Sequence, residues 1–208
     1  MADGMVHFIR HGETDNPDRI IYGRLPGFGL TSAARSAAEK MAAAFADADV
    51  RCLMSSPLQR ALETAEPLAR LLDLHVVERR ELIEPWSAFE GRTPREIRET
   101  VTWRSPRVWP YAYSQRLPSW GEPYVRVARR MVRLVREVAG EGEVVCVTHQ
   151  TPIAMLRRRL AGEPLWLRPI EPECLPLSRL TVRCADGRIS VVTDYRGSGP
   201  GSGPSRAS

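Results

Sequence analysis

The chain has 208 residues, of which 43% are hydrophobic, which is enough for one sizeable core. Length alone allows two domains at most, and a single domain is the expectation. Apolar runs of about eighteen residues, the length that spans a bilayer, do not occur, and the first residues lack the basic flank and apolar stretch of a secretory signal. These features exclude a membrane-spanning protein, and we expect a soluble, cytoplasmic one.

Charge is spread along the chain rather than clustered. The chain carries 30 basic and 25 acidic residues, which give a net charge of +5 and an isoelectric point near 9.4. The longest basic run, Arg157-Arg158-Arg159, is interpreted as a solvated helix face. This distribution predicts neither a nucleic-acid partner nor a membrane partner, and leaves a small anionic molecule as the expected one.

The cysteines and two of the histidines are interpreted as structural. The four cysteines show no C-x-x-C spacing, so we expect neither a disulfide framework nor a zinc site. Cys146 lies in the apolar run of residues 144–147 and is expected to pack in the core rather than act as a nucleophile. Isolated histidines are usually surface or satisfied core residues, which is the interpretation of His7 and His75.

In chain order, the first elements predict a β-α-β unit. Met5 to Arg10 reads as a short strand, so His11 follows a strand's carboxyl end. Thr31 can cap a helix over Ala33 to Phe45, and Cys52 to Met54 gives a second strand. Next, Ser56-Pro57 predicts a helix start with Ser56 at the N-cap, which places Arg60 in the first helical turn.

A third strand is predicted over Leu74 to Glu78, and a region rich in aromatic residues follows it over about 85–120. We interpret this region as an insertion that forms a cap and a small satellite core. From Tyr124 to Val138 an apolar stripe recurs at helical spacing and leaves five arginines mostly toward solvent: Arg126, Arg129, Arg130, Arg133 and Arg136.

The remaining elements complete the sheet. Glu143 to Thr148 reads as a strand buried on both faces, followed by His149 and by a helix start at Thr151-Pro152. Leu177 to Cys184 and Ile189 to Thr193 predict a hairpin, and residues 197–208 form a Gly/Ser/Pro tail that we expect to be disordered. The order of elements predicts one α/β domain over 1–196, with three α/β/α layers, a mostly parallel sheet and helices on both faces.

Three points of this fold carry residues suited to one pocket. Arg10-His11, Arg60 and His149 stand at strand ends or helix starts, and open α/β sheets bind ligands outside the carboxyl ends of their strands. Guanidinium groups and the N–H groups of helix N-termini suit the oxygens of a phosphoryl group. An imidazole flanked by these cations can act as a nucleophile in phosphoryl transfer, which indicates His11.

Four sequence blocks resemble the histidine phosphatase superfamily, whose fold is phosphoglycerate mutase-like. Their order and spacing agree with that family across residues 6–160. The blocks are Phe8-Ile9-Arg10-His11-Gly12-Glu13-Thr14, Tyr22-Gly23-Arg24 with Leu30-Thr31, Ser55-Ser56-Pro57-Leu58-Gln59-Arg60-Ala61 with Thr64-Ala65, and Val147-Thr148-His149.

The resemblance implies a role for each residue of the site. His11 would be the residue that is phosphorylated. Arg10, Arg60 and His149 would bind the phosphate. Glu84 would be the general acid and base, with a pKa raised by burial beside the phosphate, and Glu81 is its competitor. Substrate contacts would come from Asn16, through a donor to a phosphate oxygen, and from Tyr22 and Gly23. Gln150 stands where many relatives have glycine, and we expect it to contact substrate as well. Neither a cofactor nor a metal is expected.

The expected function is hydrolysis of a small phosphomonoester. A cofactor-dependent phosphoglycerate mutase is the nearest alternative, but such mutases resemble this chain with additional segments before the second histidine, and here 64 residues separate Glu84 from His149. An alternative of another class is an inactive protein that binds nucleic acid or another anion. The leaving group stays open among sugar phosphates, phosphoglycerates, nucleotides and a ribazole phosphate, and so does the oligomeric state, a homodimer included.

Overall fold

A computed structural model of the protein describes residues 3–100, 121–165 and 174–195. Six strands of these ranges form one sheet: β1 (Gly4–Arg10), β2 (Val50–Ser55), β3 (Val76–Glu78), β4 (Glu143–Thr148), β5 (Arg179–Ala185) and β6 (Arg188–Thr193). The helices of these ranges are α1 (Ser32–Ala43), α2 (Gln59–Leu72), α3 (Pro94–Thr100), α4 (Tyr124–Val138) and α5 (Gln150–Leu160). Single 3-10 turns cover Arg80–Leu82 and Ala139–Glu141.

The sheet is mostly parallel. Its strands lie in the order β3-β2-β4-β1-β5-β6. The first four run parallel, and β5 pairs antiparallel with both of its neighbours, β1 and β6. Parallel pairing of β1 with β4 sets Arg10 beside Thr148, and the N–H of His11 donates to the Thr148 carbonyl at 2.9 Å. The residues that directly follow these two strands are therefore neighbours at the carboxyl edge.

Helices cover both faces of this sheet. Because side chains alternate along a strand, Val144 and Cys146 of β4 enter one core while Val145 and Val147 enter the other. The first core takes residues from α4 and α5, among them Met131, Leu134, Val135, Ile153 and Leu156. The second takes residues from α1 and α2, among them Ala42, Ala61, Ala65 and Leu68. The predicted three-layer α/β fold class is confirmed.

Helix starts were predicted with mixed success. Thr31 caps α1 as expected, because its side chain accepts a hydrogen bond from the Ala34 N–H. The caps predicted at Ser56 and Thr151 are wrong: α2 begins at Gln59 and α5 begins at Gln150. Both hydroxyl groups bond side chains elsewhere in the fold, Ser56 that of His149 and Thr151 that of Glu84.

Two predictions that placed arginines toward solvent are wrong at Arg130, Arg157 and Arg158, whereas Arg159 and the other four arginines of α4 are exposed as expected. Arg157 and Arg158 are buried, and both pair with Glu163, because the last turn of α5 packs under the chain that follows it. Arg130 of α4 has a side chain only 11% exposed and bonds main-chain carbonyls of residues 81 and 83. Helical periodicity predicts that these charges lie in solvent. Acidic groups and main-chain carbonyls of other segments pair with them, which allows the charges to be buried.

The β5–β6 hairpin forms as predicted, with Asp186 and Gly187 at its turn in left-handed conformations of φ 51° and 74°. Cys146 is fully buried and burial raises the pKa of its thiol, in line with a packing role, and all four cysteines are free. No helix in the described ranges has the length and apolar content needed to cross a membrane. Most of the predicted cap region, and the predicted tail, lie outside the described residues.

Candidate active site

A cavity of about 190 Å³ opens at the carboxyl edge of the sheet. It lies where β1, β4 and the first turn of α2 meet, and the rings of His11 and His149 meet there edge to face, with centroids 5.1 Å apart and an angle of 62° between their planes. The residues that line it are Arg10, His11, Ile20, Ile21, Tyr22, Gly23, Arg60, Glu84, Pro85, Ser87, His149 and Gln150.

His11 is held as a neutral imidazole whose Nε2 carries no proton. Its Nδ1 lies 2.7 Å from the Gly12 carbonyl, which can only accept, so Nδ1 carries the proton and Nε2 the lone pair. Burial, followed by the charge of Arg60, lowers the pKa of His11 to about 3. At neutral pH the ring is therefore uncharged and nucleophilic at Nε2.

Arg60 presents its guanidinium to that nucleophilic nitrogen. The side chain is buried, its Nε donates to Nε2 of His11 at 3.2 Å, and its Nη2 donates to the Gly23 carbonyl at 2.8 Å. The guanidinium also lies 4.7 Å from the ring centroid of Tyr22, a favourable cation–π distance. These contacts fix a planar, permanently charged donor beside Nε2 of His11.

Two buried donors at the cavity have no partner. Among the described residues, Nε of Arg10 and Nδ1 of His149 are enclosed without a hydrogen bond. The other ring nitrogen of His149, Nε2, lies 2.7 Å from the Ser56 hydroxyl, and burial holds the pKa of the ring well below its usual value. Unpaired buried donors are costly, and an anion bound in the cavity would satisfy them.

Glu84 brings a carboxyl group to the same cavity. Its Oε1 accepts a hydrogen bond from the Thr151 hydroxyl at 2.6 Å, while Oε2 is enclosed and has no partner among the described residues. The residue as a whole is partly exposed, but desolvation of its carboxyl group raises the pKa, against the opposing effects of Thr151 and Arg60. The pKa of Glu84 is therefore raised, as expected from the sequence.

Glu81, the competing candidate, points elsewhere. It does not line the cavity and pairs with Arg79 at 3.3 Å. Hydrogen bonding, first of all to its own backbone, lowers the pKa of Glu81, which is the opposite of what a general acid needs. The structure thus brings Glu84, and not Glu81, to the cavity.

The four residues expected to contact substrate divide into two groups. Tyr22, Gly23 and Gln150 line the cavity. Asn16 does not line the cavity. Its side-chain amide donates to the Ile20 carbonyl at 2.9 Å and accepts from the Ile20 N–H at 3.1 Å, so these bonds hold together the loop of residues 16–20. The contact expected between Asn16 and a phosphate oxygen stays a prediction.

Gly23 has a steric reason to be glycine. Its φ is +41°, and a Cβ there would lie 2.1 Å from Oε1 of Glu90. That Glu90 oxygen accepts from the N–H groups of Arg24 and Ser87, each at 3.0 Å, and so ties together the two loops that form one side of the cavity.

Several contributors were missed from the sequence. Ile20, Ile21, Pro85 and Ser87 line the cavity from irregular loops, for which the sequence offers no periodic signal. Ser56 and Thr64 lie within a recognised block, but their partners could not be read from it: the Thr64 hydroxyl accepts from the Gly12 N–H at 3.0 Å and donates to the Arg60 carbonyl at 2.7 Å. Groups of three or more metal-ligating side chains are absent from the described ranges.

Comparison with known proteins defines the class. The model of the histidine phosphatase superfamily (branch 1) matches residues 6–194. The chain therefore belongs to the histidine phosphatase superfamily, in agreement with the resemblance seen in its sequence blocks.

Two relatives in Mycobacterium tuberculosis resemble the chain in sequence. The protein named "Uncharacterized protein Rv0525" is 46% identical over 193 residues, which cover 91% of this chain and 94% of that protein. The bifunctional protein Rv2228c is 36% identical over 159 residues, 72% of this chain, and the matched part is 42% of that longer protein.

Solved structures share the fold. YhfR of Bacillus stearothermophilus superposes with a TM-score of 0.77 at 25% identity, covering 92% of this chain and 96% of that one. Mycobacterial glucosyl-3-phosphoglycerate phosphatase Rv2419c gives 0.75 at 23% identity, covering 93% and 99%. The alpha-ribazole phosphatase of Shigella flexneri gives 0.72 at 21% identity, covering 92% and 96%. The last two likenesses concern the fold alone.

Proposed function

We propose that the protein is a phosphatase that hydrolyses a small phosphomonoester through a phosphohistidine on His11. One observation carries this proposal: neutral His11 has its Nε2 lone pair directed at a buried guanidinium, next to two buried donors that lack partners. A phosphoryl dianion would satisfy Arg10 and His149 together and would take over the Arg60 donor. Membership of the superfamily and the fold of known phosphatases support it.

In the first step, the lone pair of His11 Nε2 forms a bond to phosphorus. The bond between phosphorus and the ester oxygen breaks, and its electron pair goes to that oxygen, which takes the proton of Glu84. Arg10, Arg60 and His149 balance the charge on the three phosphoryl oxygens. The products of this step are a free alcohol, phosphohistidine and the Glu84 carboxylate.

In the second step, the Glu84 carboxylate takes a proton from water as the water oxygen bonds to phosphorus. The bond from phosphorus to Nε2 breaks, its electron pair returns to His11, and inorganic phosphate leaves. Glu84 is protonated again, so the cycle is closed without a cofactor or metal. A carboxyl group whose pKa burial raises suits both roles, because it can hold a proton closer to neutrality than an exposed one.

The substrate we propose is a small phosphorylated metabolite. Besides the charged and histidine side chains, the cavity is lined by Ile20, Ile21 and Tyr22, with Gln150 able to donate and accept hydrogen bonds. Glucosyl-3-phosphoglycerate and alpha-ribazole phosphate, named in the two structural neighbours, give the size of leaving group to test first.

The test is hydrolysis of p-nitrophenyl phosphate in the presence of EDTA, which also tests independence of a dissociable metal. We expect turnover by the unchanged protein, none by His11→Ala, and full activity in the matched control His75→Ala, whose ring is exposed. Rapid quenching should trap an acid-labile phosphoryl adduct, located on His11 by mass spectrometry. A metabolite panel would then identify the leaving group.

Two results would contradict the proposal. Activity retained in His11→Ala would remove the nucleophile from the mechanism. No turnover across the panel, together with DNA binding that weakens steeply with salt, would favour the alternative of an inactive anion-binding protein.

A further inference from the structure

Four consecutive main-chain carbonyls lead up to Glu84, and each accepts a hydrogen bond from a side chain of another segment. Arg130 Nη1 donates to the Glu81 carbonyl, and Arg130 Nη2 donates to the Ile83 carbonyl at 2.6 Å. Between them, the Thr148 hydroxyl donates to the Leu82 carbonyl at 2.6 Å. The carbonyl of Glu84 itself accepts from Nε of Arg24 at 2.6 Å.

The two arginines are joined by one carboxylate. Nε and Nη2 of Arg130 each lie 3.2 Å from an oxygen of Glu122, and Nη2 of Arg24 lies 3.7 Å from the same side chain. The Arg130 and Glu122 side chains are 11% and 12% exposed, so the pair is largely shielded from water. Charge-assisted bonds of this kind are stronger and more directional than those of an exposed pair.

The segment needs this support because its backbone is irregular. Arg80–Leu82 form a single 3-10 turn, and residues 83 and 84 belong to no helix or strand. Rotation of a peptide in such a segment would swing the Glu84 carboxyl group away from the cavity. A planar guanidinium that holds the carbonyls of residues 81 and 83 at once opposes that rotation.

We propose that Arg130, Arg24 and Glu122 are positioning residues that hold the Glu84 carboxyl group where it protonates the leaving oxygen. This inference rests on the proposed function, since it assumes that Glu84 is the general acid. The three residues act through the backbone of residues 81–84. Loss of their bonds should therefore harm proton delivery selectively.

Proton delivery can be read from two substrates of nearly the same shape. Phenyl phosphate and p-nitrophenyl phosphate share a ring, but phenolate is the more basic leaving group and depends on the general acid, whereas nitrophenolate departs without a proton. The parameter to compare is kcat/KM, because it covers only the steps up to departure of the leaving group. The action of Glu84 as a base in the second step therefore does not affect kcat/KM.

The variants are Arg130→Gln and Glu122→Gln, with Arg129→Gln as the matched control on the same helix, where the side chain is exposed. For Arg130→Gln we expect kcat/KM for phenyl phosphate to fall about 100-fold, the effect typical of a misplaced catalytic group. For p-nitrophenyl phosphate the change should be slight. Glu122→Gln should show a smaller loss with the same preference, and Arg129→Gln no loss.

Glu84→Gln separates the two proposals. A loss of about 10²- to 10⁴-fold with phenyl phosphate but little with p-nitrophenyl phosphate establishes Glu84 as the acid. If Glu84→Gln shows this and Arg130→Gln does not, or if Arg130→Gln lowers both substrates equally, the positioning role is overturned and the acid role stands. If Glu84→Gln spares both substrates, the acid role itself fails. Should Arg130→Gln not fold, Glu122→Gln decides by the same criterion.

Discussion

Nε of Arg60 lies 3.2 Å from Nε2 of His11, so a buried guanidinium occupies the lone pair that the proposed reaction uses. Arg60 keeps this position through the Gly23 carbonyl and the Tyr22 ring. In the proposed mechanism the phosphoryl group comes between the two side chains, and the arginine donor passes from the imidazole to a phosphoryl oxygen. The same contact would then orient the nucleophile at rest and the phosphate during reaction.

Replacement of Arg60 by lysine tests this relationship. Arg60→Lys keeps the charge but removes the planar guanidinium. It should therefore lose two charge-assisted hydrogen bonds, each worth about 1.5–3 kcal/mol. We expect kcat/KM for p-nitrophenyl phosphate to fall at least about 100-fold. Arg70→Lys is the control, because Arg70 lies exposed on the same helix and pairs with Glu66. Near-normal activity of Arg60→Lys would show that charge alone suffices.

Ser56 should set the proton of His149. The Ser56 oxygen accepts from the Leu58 N–H at 3.4 Å and lies 2.7 Å from Nε2 of His149. We expect its own proton to be donated to Nε2, which would put the ring proton on Nδ1. We expect Ser56→Ala to lower kcat/KM about tenfold, equivalent to one hydrogen bond of about 1.4 kcal/mol. Nitrogen NMR should show mixed tautomers in the variant.

Ser55→Ala is the control for Ser56→Ala, because the buried Ser55 hydroxyl donates to the Ser56 carbonyl and not to His149. It should leave the His149 tautomer and kcat/KM unchanged. If kcat/KM fell equally in Ser56→Ala and Ser55→Ala, the loss in Ser56→Ala would come from disturbed packing and not from the bond to His149.

Thr151 should limit how far the pKa of Glu84 rises. Its hydroxyl donates to the carboxylate form, which lowers the pKa against the larger effect of burial. Thr151→Val removes that donor, so the pKa of Glu84 should rise further. Because a general acid works only while protonated, the alkaline limb of kcat/KM for phenyl phosphate should move to higher pH. Thr151→Ser keeps the hydroxyl and should keep the profile; a limb that stays in place in Thr151→Val would contradict this account.

Buried histidines should make the fold sensitive to acid. Burial lowers the pKa of His7, His11 and His149, so between pH 6.5 and their folded values the unfolded chain binds more protons. Their contribution to stability is complete above about pH 6.5 and is lost as the pH falls below it. Urea unfolding should show the free energy of unfolding falling by up to about 1.4 kcal/mol per pH unit for each histidine. Glu84, with its raised pKa, opposes this trend.

His7→Gln isolates one of these contributions away from the cavity. His7 lies in β1, with Nδ1 2.9 Å from the Thr181 hydroxyl and Nε2 2.8 Å from a Glu143 oxygen. The variant should show a shallower dependence of stability on pH, whereas His75→Gln should not, because the His75 ring is exposed. An unchanged slope in His7→Gln would contradict the assignment.

The elements that the sequence predicted well are those whose signal is local. The strand predicted around the apolar run of residues 144–147 has the bounds of β4, and α4 begins at Tyr124 as expected. Both elements are buried in the core, and burial imposes a period of 2 on a strand and of 3.6 on a helix, which is visible in the sequence itself. Because parallel strands share a carboxyl edge, the sequence then predicts that His11 and His149 lie together.

Only the tertiary structure decided which polar groups meet. Ser56 bonds His149 across 93 positions of the chain, Thr151 bonds Glu84 across 67, and Arg130 bonds the Ile83 carbonyl across 47. Local rules assigned the first two as helix caps and the third to solvent, since a cap or an exposed charge needs no distant partner. A buried polar group takes the partner that the packed sheet and helices offer. The meeting of His11 and His149 could thus be predicted from sequence, whereas the contacts that orient His149 and Glu84 exist only in the assembled fold.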